Sequence, residues 1–307
     1  MMSKHLFGQI VTPFGTAANN RGETEGNITT LQKILWGDEV HTTVSAEAIR
    51  FAIRWNWQMT HGEEVLNRRW NDKDARNEWA DAEFSKWEGY LDDDVLGFMS
   101  ARAAKEDGSS SGAKRSRGTC DKRRARLEVT RAISLSPFAG DITFNAASPG
   151  ATPSASSTGR DPVPYGTEMH ATRYQYGFAL TPEDLEDKER ALIVVDTLME
   201  LNEVAGNQAR FLFDFSPEAV IFRWTDDFAP RILYCFAMSD GGKVSMAPLL
   251  NKIEAGDVDP EEIIVGGYCI SKEELEVARM RGAVVVDGVK AAADELKQRM
   301  KNDLKIK

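Results

Sequence analysis

The sequence predicts an α+β fold, on three observations. Strand-like and helix-like runs follow one another irregularly, without the strict alternation of a doubly wound sheet. Two stretches of different texture, one beginning at about residue 60 and one at about residue 145, interrupt them and read as insertions. At 307 residues, 42% apolar and 28% charged, the chain can fill a sizeable core and is long enough for one large domain carrying insertions.

Residues 5–11, HLFGQIV, read as an opening strand, and TPFGTAANNRGETEGN after it as a loop dense in Gly, Asn and Thr. Residues 44–58 read as a helix. Ser45 caps it, Glu47 suits its first turn, and Ile49, Ala52 and Ile53 form the buried stripe. Arg50 and Arg54, four apart, share one face. Residues 60–100 are rich in tryptophan and charge, and helical spacing is plausible there. KEDGSSSGAKRSRG at 105–118 reads as a flexible basic loop, and EVTRAISL at 128–135 as a strand. Residues 145–166 are almost all small residues and prolines, too poor in apolar area to offset their ordering entropy until a partner covers them. A strand is expected over Glu168–Leu180, with His170 and Tyr174 on one face and Arg173 on the other. Thr181, Pro182 and Asp184 look like the capped start of a helix with an apolar face of Leu185, Leu192, Val195 and Met199, ended by Gly206. Strand-like runs follow at Phe211–Phe215, Ala219–Trp224 and Ile232–Ala237. Ser271 and Glu274 open another helix, which ends at Gly282. AVVV and an amphipathic helix close the chain.

The net charge of −10 alone argues against nucleic acid. The charge is segregated, however. Lys114, Arg115, Arg117, Lys122, Arg123, Arg124 and Arg126 face one acid, Asp121, so this run carries +6 and the remainder −16. Such a patch can steer a phosphate backbone to one face, and a solvated charged surface is the alternative. Cys120, Cys235 and Cys269 are odd in number and far apart, which fits a reducing cytoplasm rather than a disulfide framework. No stretch approaches about 18 uninterrupted apolar residues, so no membrane span is expected. None of the four histidines has a metal-ligand partner at the right spacing, and neither a metal nor a cofactor is expected. Asp92, Asp93 and Asp94 could be the carboxylates of a two-metal nuclease, but such a triplet reads first as a solvated turn. The loop Asn19–Asn27, with Asn19, Asn20, Arg21, Gly22 and Asn27, leaves backbone N–H groups free to hold an anion, with Arg21 to fork onto a phosphate. A loop capped by its own Asn side chains is equally open.

The run GQIVTPFGTAANNRGETEGNITTLQKILW followed by VSAEAIRFAIR resembles the backbone subunit of type I-B CRISPR surveillance complexes, the DevR-like family. RAISLSPFAGDITFN, TEMHATRYQYGFAL and AGNQARFLFDFSPEAVIFRWT are similar to later blocks of that family, and the likeness fades in 60–127 and after about 240. The resemblance implies a right-hand architecture: a modified RNA-recognition-motif (ferredoxin-like) palm of residues 1–59, 128–144 and 171–307, fingers at 60–127, and a thumb at 145–170. It implies a non-catalytic subunit of the Cascade complex. Such a subunit polymerises head-to-tail with copies of itself along crRNA, supports pairing with a target DNA strand and joins other Cascade subunits. The palm lacks the aromatic signature of ordinary RNA-recognition motifs, so stacking on the sheet face is not expected. Guide contacts are expected from the Asn19–Asn27 loop, Arg50, Arg54, Arg131, His170, Arg173 and Tyr174, with Lys114, Arg115, Arg117, Arg123 and Arg124 touching guide or target. Tyr174 and Tyr176 could equally be sheet packing, and Arg50 and Arg54 could pair with surface acids. A metal-dependent RNA nuclease and a transcriptional regulator are the competing classes. Service in a transposon-associated complex is compatible with the first reading.

Overall fold

The computed structural model describes residues 3–18, 24–101, 120–147, 163–201, 203–204, 213–239 and 242–306. The α+β expectation is met by a nine-stranded sheet covered on both faces. Its order runs Val284–Val286, Ile263–Gly267, Ala219–Thr225, His5–Val11, Tyr174–Leu180, Ala132–Ser134, Glu39–Val44 and Lys33–Trp36, with Leu127–Val129 also on Tyr174–Leu180. All pairings are antiparallel except Ile263–Gly267 with Val284–Val286.

The opening strand is central, and its side chains alternate between two cores as the pleat requires. Leu6 and Ile10 join the first core, with Tyr174, Tyr176, Phe178 and Phe222. This core is closed by α1 (Ala46–His61), α3 (Arg190–Glu200) and α6 (Val289–Leu304); α2 (Leu91–Leu96) packs at its rim. Phe7 and Val11 join the second core, closed by α4 (Ala247–Glu254), α5 (Lys272–Arg281) and the chain around Ile232 and Phe236. Gln9 points to this second face, and its amide is matched by protein partners. Its Nε2 donates to Gln175 Oε1 at 3.1 Å, Tyr234 N donates to its Oε1 at 3.0 Å, and Gln175 Nε2 reaches Phe236 O at 3.0 Å. Gly8 is needed opposite: an added Cβ would collide with the Phe178 ring.

Local signals held where a cap or a period carried them. Ser45 accepts from Ala48 N at the start of α1, Ser271 accepts from Glu274 N at the start of α5, and Gly282 takes the left-handed conformation that ends α5. Several expectations need correction. Residues 60–100 are not one continuous helix. They form a hairpin, Arg68–Asn71 with Arg76–Trp79, then α2. Gln58 braces the hairpin like a backbone amide, donating to Trp70 O at 2.9 Å and accepting from Trp70 N at 2.8 Å. Pro182–Asp184 is a single 3-10 turn and the helix waits until Arg190, because the Thr181 hydroxyl binds the His5 ring at 2.8 Å instead of capping. The strand expected over 168–180 breaks at Arg173 into Val163–Thr172 and Tyr174–Leu180; that over 128–135 breaks into Leu127–Val129 and Ala132–Ser134. Of the run 232–237, only Ala237–Met238 pairs, with Val244–Ser245. Phe213 and Phe215 are buried without strand pairing, while Gly206 and Phe211 lie outside the described residues.

The expected loop after the opening strand is partly extended. Gly15–Ala18 pairs with Met169–Thr172, and Thr24–Glu25 turns through Gly26 onto Ile28–Thr29. Ile142–Ala147 and Val163–Thr172 pair antiparallel as the stem of a hairpin whose intervening residues lie outside the described ones. No described helix is long and apolar enough to cross a membrane.

Candidate nucleic-acid interface

Helix α1 delivers Arg50 and Arg54 to one side, as their spacing requires, and the residues after it supply the opposite wall. Arg50, Arg54, Arg68 and Arg123 line one cleft of about 600 Å³, with Glu47 the one acid on its walls among the described residues. Phe51, Leu96, Phe98 and Met99 give the cleft apolar area. Phe51 is 40% exposed and meets Trp70 edge-on at 5.6 Å. Arg68 lies over the ring of Trp79, 5.7 Å from its centre, and Trp79 is 46% exposed. Guanidinium groups interleaved with open rings form a surface suited to single-stranded nucleic acid, where phosphates take the charge and bases take the rings.

The cations are crowded. The guanidinium pKa values of Arg50 and Arg68 are pulled down, first by burial and next by repulsion from Arg54. An anion placed among them relieves that repulsion. Arg54 gives Nε to Asp92 Oδ2 at 3.2 Å, and Arg50 gives Nη2 to Leu96 O. Arg123 pairs with Asp94 and lies 4.1 Å from the centre of the Trp87 ring.

The acidic triplet is not a solvated turn. Asp92, Asp93 and Asp94 are 1%, 3% and 0% exposed within α2. Asp92 accepts from Asn67 N at 2.8 Å and Arg68 N at 3.1 Å, Asp93 accepts from Asn67 Nδ2 at 2.7 Å, and Asp94 takes Arg190 at 2.6 Å besides Arg123. Burial, then the neighbouring Asp92 charge, pushes Asp93 up to about 7.

The other residues singled out from sequence are scattered. Arg131 donates to Gln32 Oε1 and to Thr43 Oγ1, both at 3.1 Å, and lines a second groove of about 710 Å³ with Lys33 and Thr30. Thr43 precedes the Ser45 cap by two residues, so this groove lies beside the start of α1. Asn27 is exposed at the turn after Gly26, its carbonyl bonded to Gly166 N at 2.8 Å. Arg124 is exposed and pairs with Glu128. Three residues turn inward, against their assignment to RNA. Tyr174 is fully buried and His170 nearly so, and both bond Thr42 Oγ1, at 2.8 and 2.7 Å. Arg173 is clamped by Glu218 and donates to Thr12 O at 3.0 Å. Asn19, Asn20, Arg21, Gly22, Lys114, Arg115 and Arg117 lie outside the described residues. Sequence reasoning missed Arg68, Phe51 and Trp79. The alternation in RRWNDKDARNEW about a polar turn was the available signal for the hairpin that carries two of them.

Three kinds of likeness bear on this geometry. Residues 14–185 match the family described as CRISPR-associated negative auto-regulator DevR/Csa2. The chain is 54% identical over 301 residues to the CRISPR-associated protein Cas7/Cst2/DevR of Myxococcus xanthus (strain DK1622), covering 95% of this chain and 96% of that protein. In fold it is similar to a chain of a pre-nicking CRISPR RNA-guided surveillance complex, with a TM-score of 0.57 at 11% identity over 96% of this chain and all of the other. A second chain, from a CRISPR RNA-guided surveillance complex, gives a TM-score of 0.54 at 14% identity over 94% of this chain and 98% of the other.

Proposed function

This chain belongs to the DevR/Csa2 family of CRISPR-associated proteins, and from that premise we propose that it is a non-catalytic backbone subunit of a type I-B surveillance complex, Cascade, that binds crRNA. The observation that carries the reading is the cleft of Arg50, Arg54, Arg68 and Arg123 with the open rings of Phe51 and Trp79 beside it. A guide must vary in sequence, so its holder grips phosphate and 2′-hydroxyl and leaves the base edges to the target DNA strand. The groove of Lys33 and Arg131 offers two further cations, of which Lys33 is paired with Glu168.

The sheet with the helices on its two faces corresponds to a modified RNA-recognition-motif palm, residues 60–127 to fingers and 145–170 to a thumb built on the stem Ile142–Ala147 and Val163–Thr172. Copies add head-to-tail along the RNA, a heterologous interface that leaves an open helix. The subunit acts by holding and not by cutting. In support, the acidic triplet, the first place to look for two-metal chemistry, gives its carboxylates to Arg54, Asn67, Arg123 and Arg190. Cleavage of the target falls to a separate nuclease, and the setting is the cytoplasm.

Fluorescence anisotropy with labelled single-stranded RNAs of unrelated sequence tests this. Arg50→Ala with Arg54→Ala lowers affinity by a similar factor for every sequence, and flattens the salt slope by about one for each phosphate no longer neutralised. A weakening confined to one sequence overturns it.

A further inference from the structure

Helix α2 is six residues long with three buried carboxylates in succession, and it reaches all four arginines of the cleft. Asp92 Oδ2 accepts from Arg54 Nε at 3.2 Å and from the backbone N of Arg68 at 3.1 Å. Leu96 O accepts from Arg50, and Asp94 accepts from Arg123. Asp94 also takes Arg190 of α3, which ties the same helix to the first core. Arg54 makes no other hydrogen bond among the described residues, so Nη1 and Nη2 are left over in a guanidinium that lines the cleft. Arginine binds phosphate best through two N–H groups held in one plane, and a guanidinium tethered at Nε has already given up part of the rotamer freedom that binding would cost.

We propose that α2 is a rack for the RNA-binding arginines, with Asp92 a positioning residue that fixes Arg54 and thereby links occupancy of the cleft to docking of the fingers on the palm. The inference rests on the cleft being the RNA site. It goes beyond that reading by giving buried acids a part in binding a polyanion, where simple electrostatics has them oppose it.

That opposition supplies the test. Taking a negative charge from behind the cleft tightens RNA binding if Asp92 acts only through its field. If Asp92 positions Arg54, Asp92→Asn weakens binding instead, by roughly tenfold, the effect of one weakened charge-assisted hydrogen bond. The full chain and labelled single-stranded RNAs of unrelated sequence are used at several salt concentrations, with Arg54→Ala and the double variant alongside. The expected result is that Arg54→Ala and Asp92→Asn each weaken binding, and that the double variant binds no worse than Arg54→Ala alone. If Arg54→Ala weakens binding while Asp92→Asn leaves it unchanged or tightens it, the positioning role is overturned and the cleft stands. If Arg54→Ala changes nothing, the cleft reading falls and takes this proposal with it. Arg54→Lys keeps the inference falsifiable should Asp92→Asn fail to fold. Lysine retains the charge and lacks both Nε and the planar fork, so a loss close to that of Arg54→Ala is expected. Full affinity with lysine shows that a point charge suffices and overturns the positioning role.

Discussion

Asp93 has Asn67 Nδ2 as its hydrogen-bond donor and feels the charges of Asp92, Arg54 and Asp81. Its carboxyl is raised from the ordinary 3.8 to about 7, so the folded chain holds a proton there that the unfolded chain releases. Stability therefore falls as pH rises from about 4 to about 7 and is level above that window. Between pH 6 and pH 8 the loss is roughly 1 kcal/mol, and Asp93→Asn removes it. Urea denaturation at the two pH values checks this: equal slopes with pH for the two proteins would refute it. Tyr174 shows how far residues are legible in a sequence. Period two along one strand put His170 and Tyr174 on a common side; the strand breaks at Arg173, yet both side chains reach Thr42, and periodicity gave no depth, for that side is core. Tyr174→Phe should cost about 1 kcal/mol of stability and leave RNA affinity unchanged, as denaturation and anisotropy on the same samples would show.

Elements were legible where a short-range device defines them. Ser45 and Ser271 cap within their own turns, and both helices stand where those serines put them. Thr181 carried an equally good local signal, but its hydroxyl was taken by His5, 176 positions away, and no local rule sees such a competitor. Residues 60–100 were opaque for the same reason, since Gln58 of α1 braces the hairpin and Asn67 is held by Asp81, Asp92 and Asp93, partners that no local period announces. Gly97 ends α2 at φ +67°, and a Cβ there would strike the backbone of Arg123 and Ala125. Gly97→Ala should loosen the segment around α2 before the sheet, so that limited proteolysis cuts within 60–127 while the remainder stays protected. For the thumb, deleting residues 150–162 should leave a folded monomer and abolish long regular assembly on guide RNA. Full-length filaments of the deletion variant in electron micrographs would sink that proposal.

At the scale of the whole molecule the α+β class followed from the irregular order of runs, and it holds because the central strands of this sheet are buried on both faces, so elements must pack on each side. The cleft was half legible. Two arginines four apart announce a common face, but their companions Arg68 and Arg123 come from segments whose docking only the tertiary structure decides. The place of the opening strand has a consequence for synthesis. His5–Val11 is made well before its partners and is buried on both faces, yet its two neighbours are Tyr174–Leu180 and Ala219–Thr225. A nascent chain thus carries an unpaired, aggregation-prone segment until the residues up to about 225 have left the ribosome, with the Gln9 amide waiting for Gln175 and Tyr234. Chains truncated near residue 200 should accumulate as insoluble material, and supplying the missing part as a separate polypeptide during synthesis should return some of them to the soluble fraction.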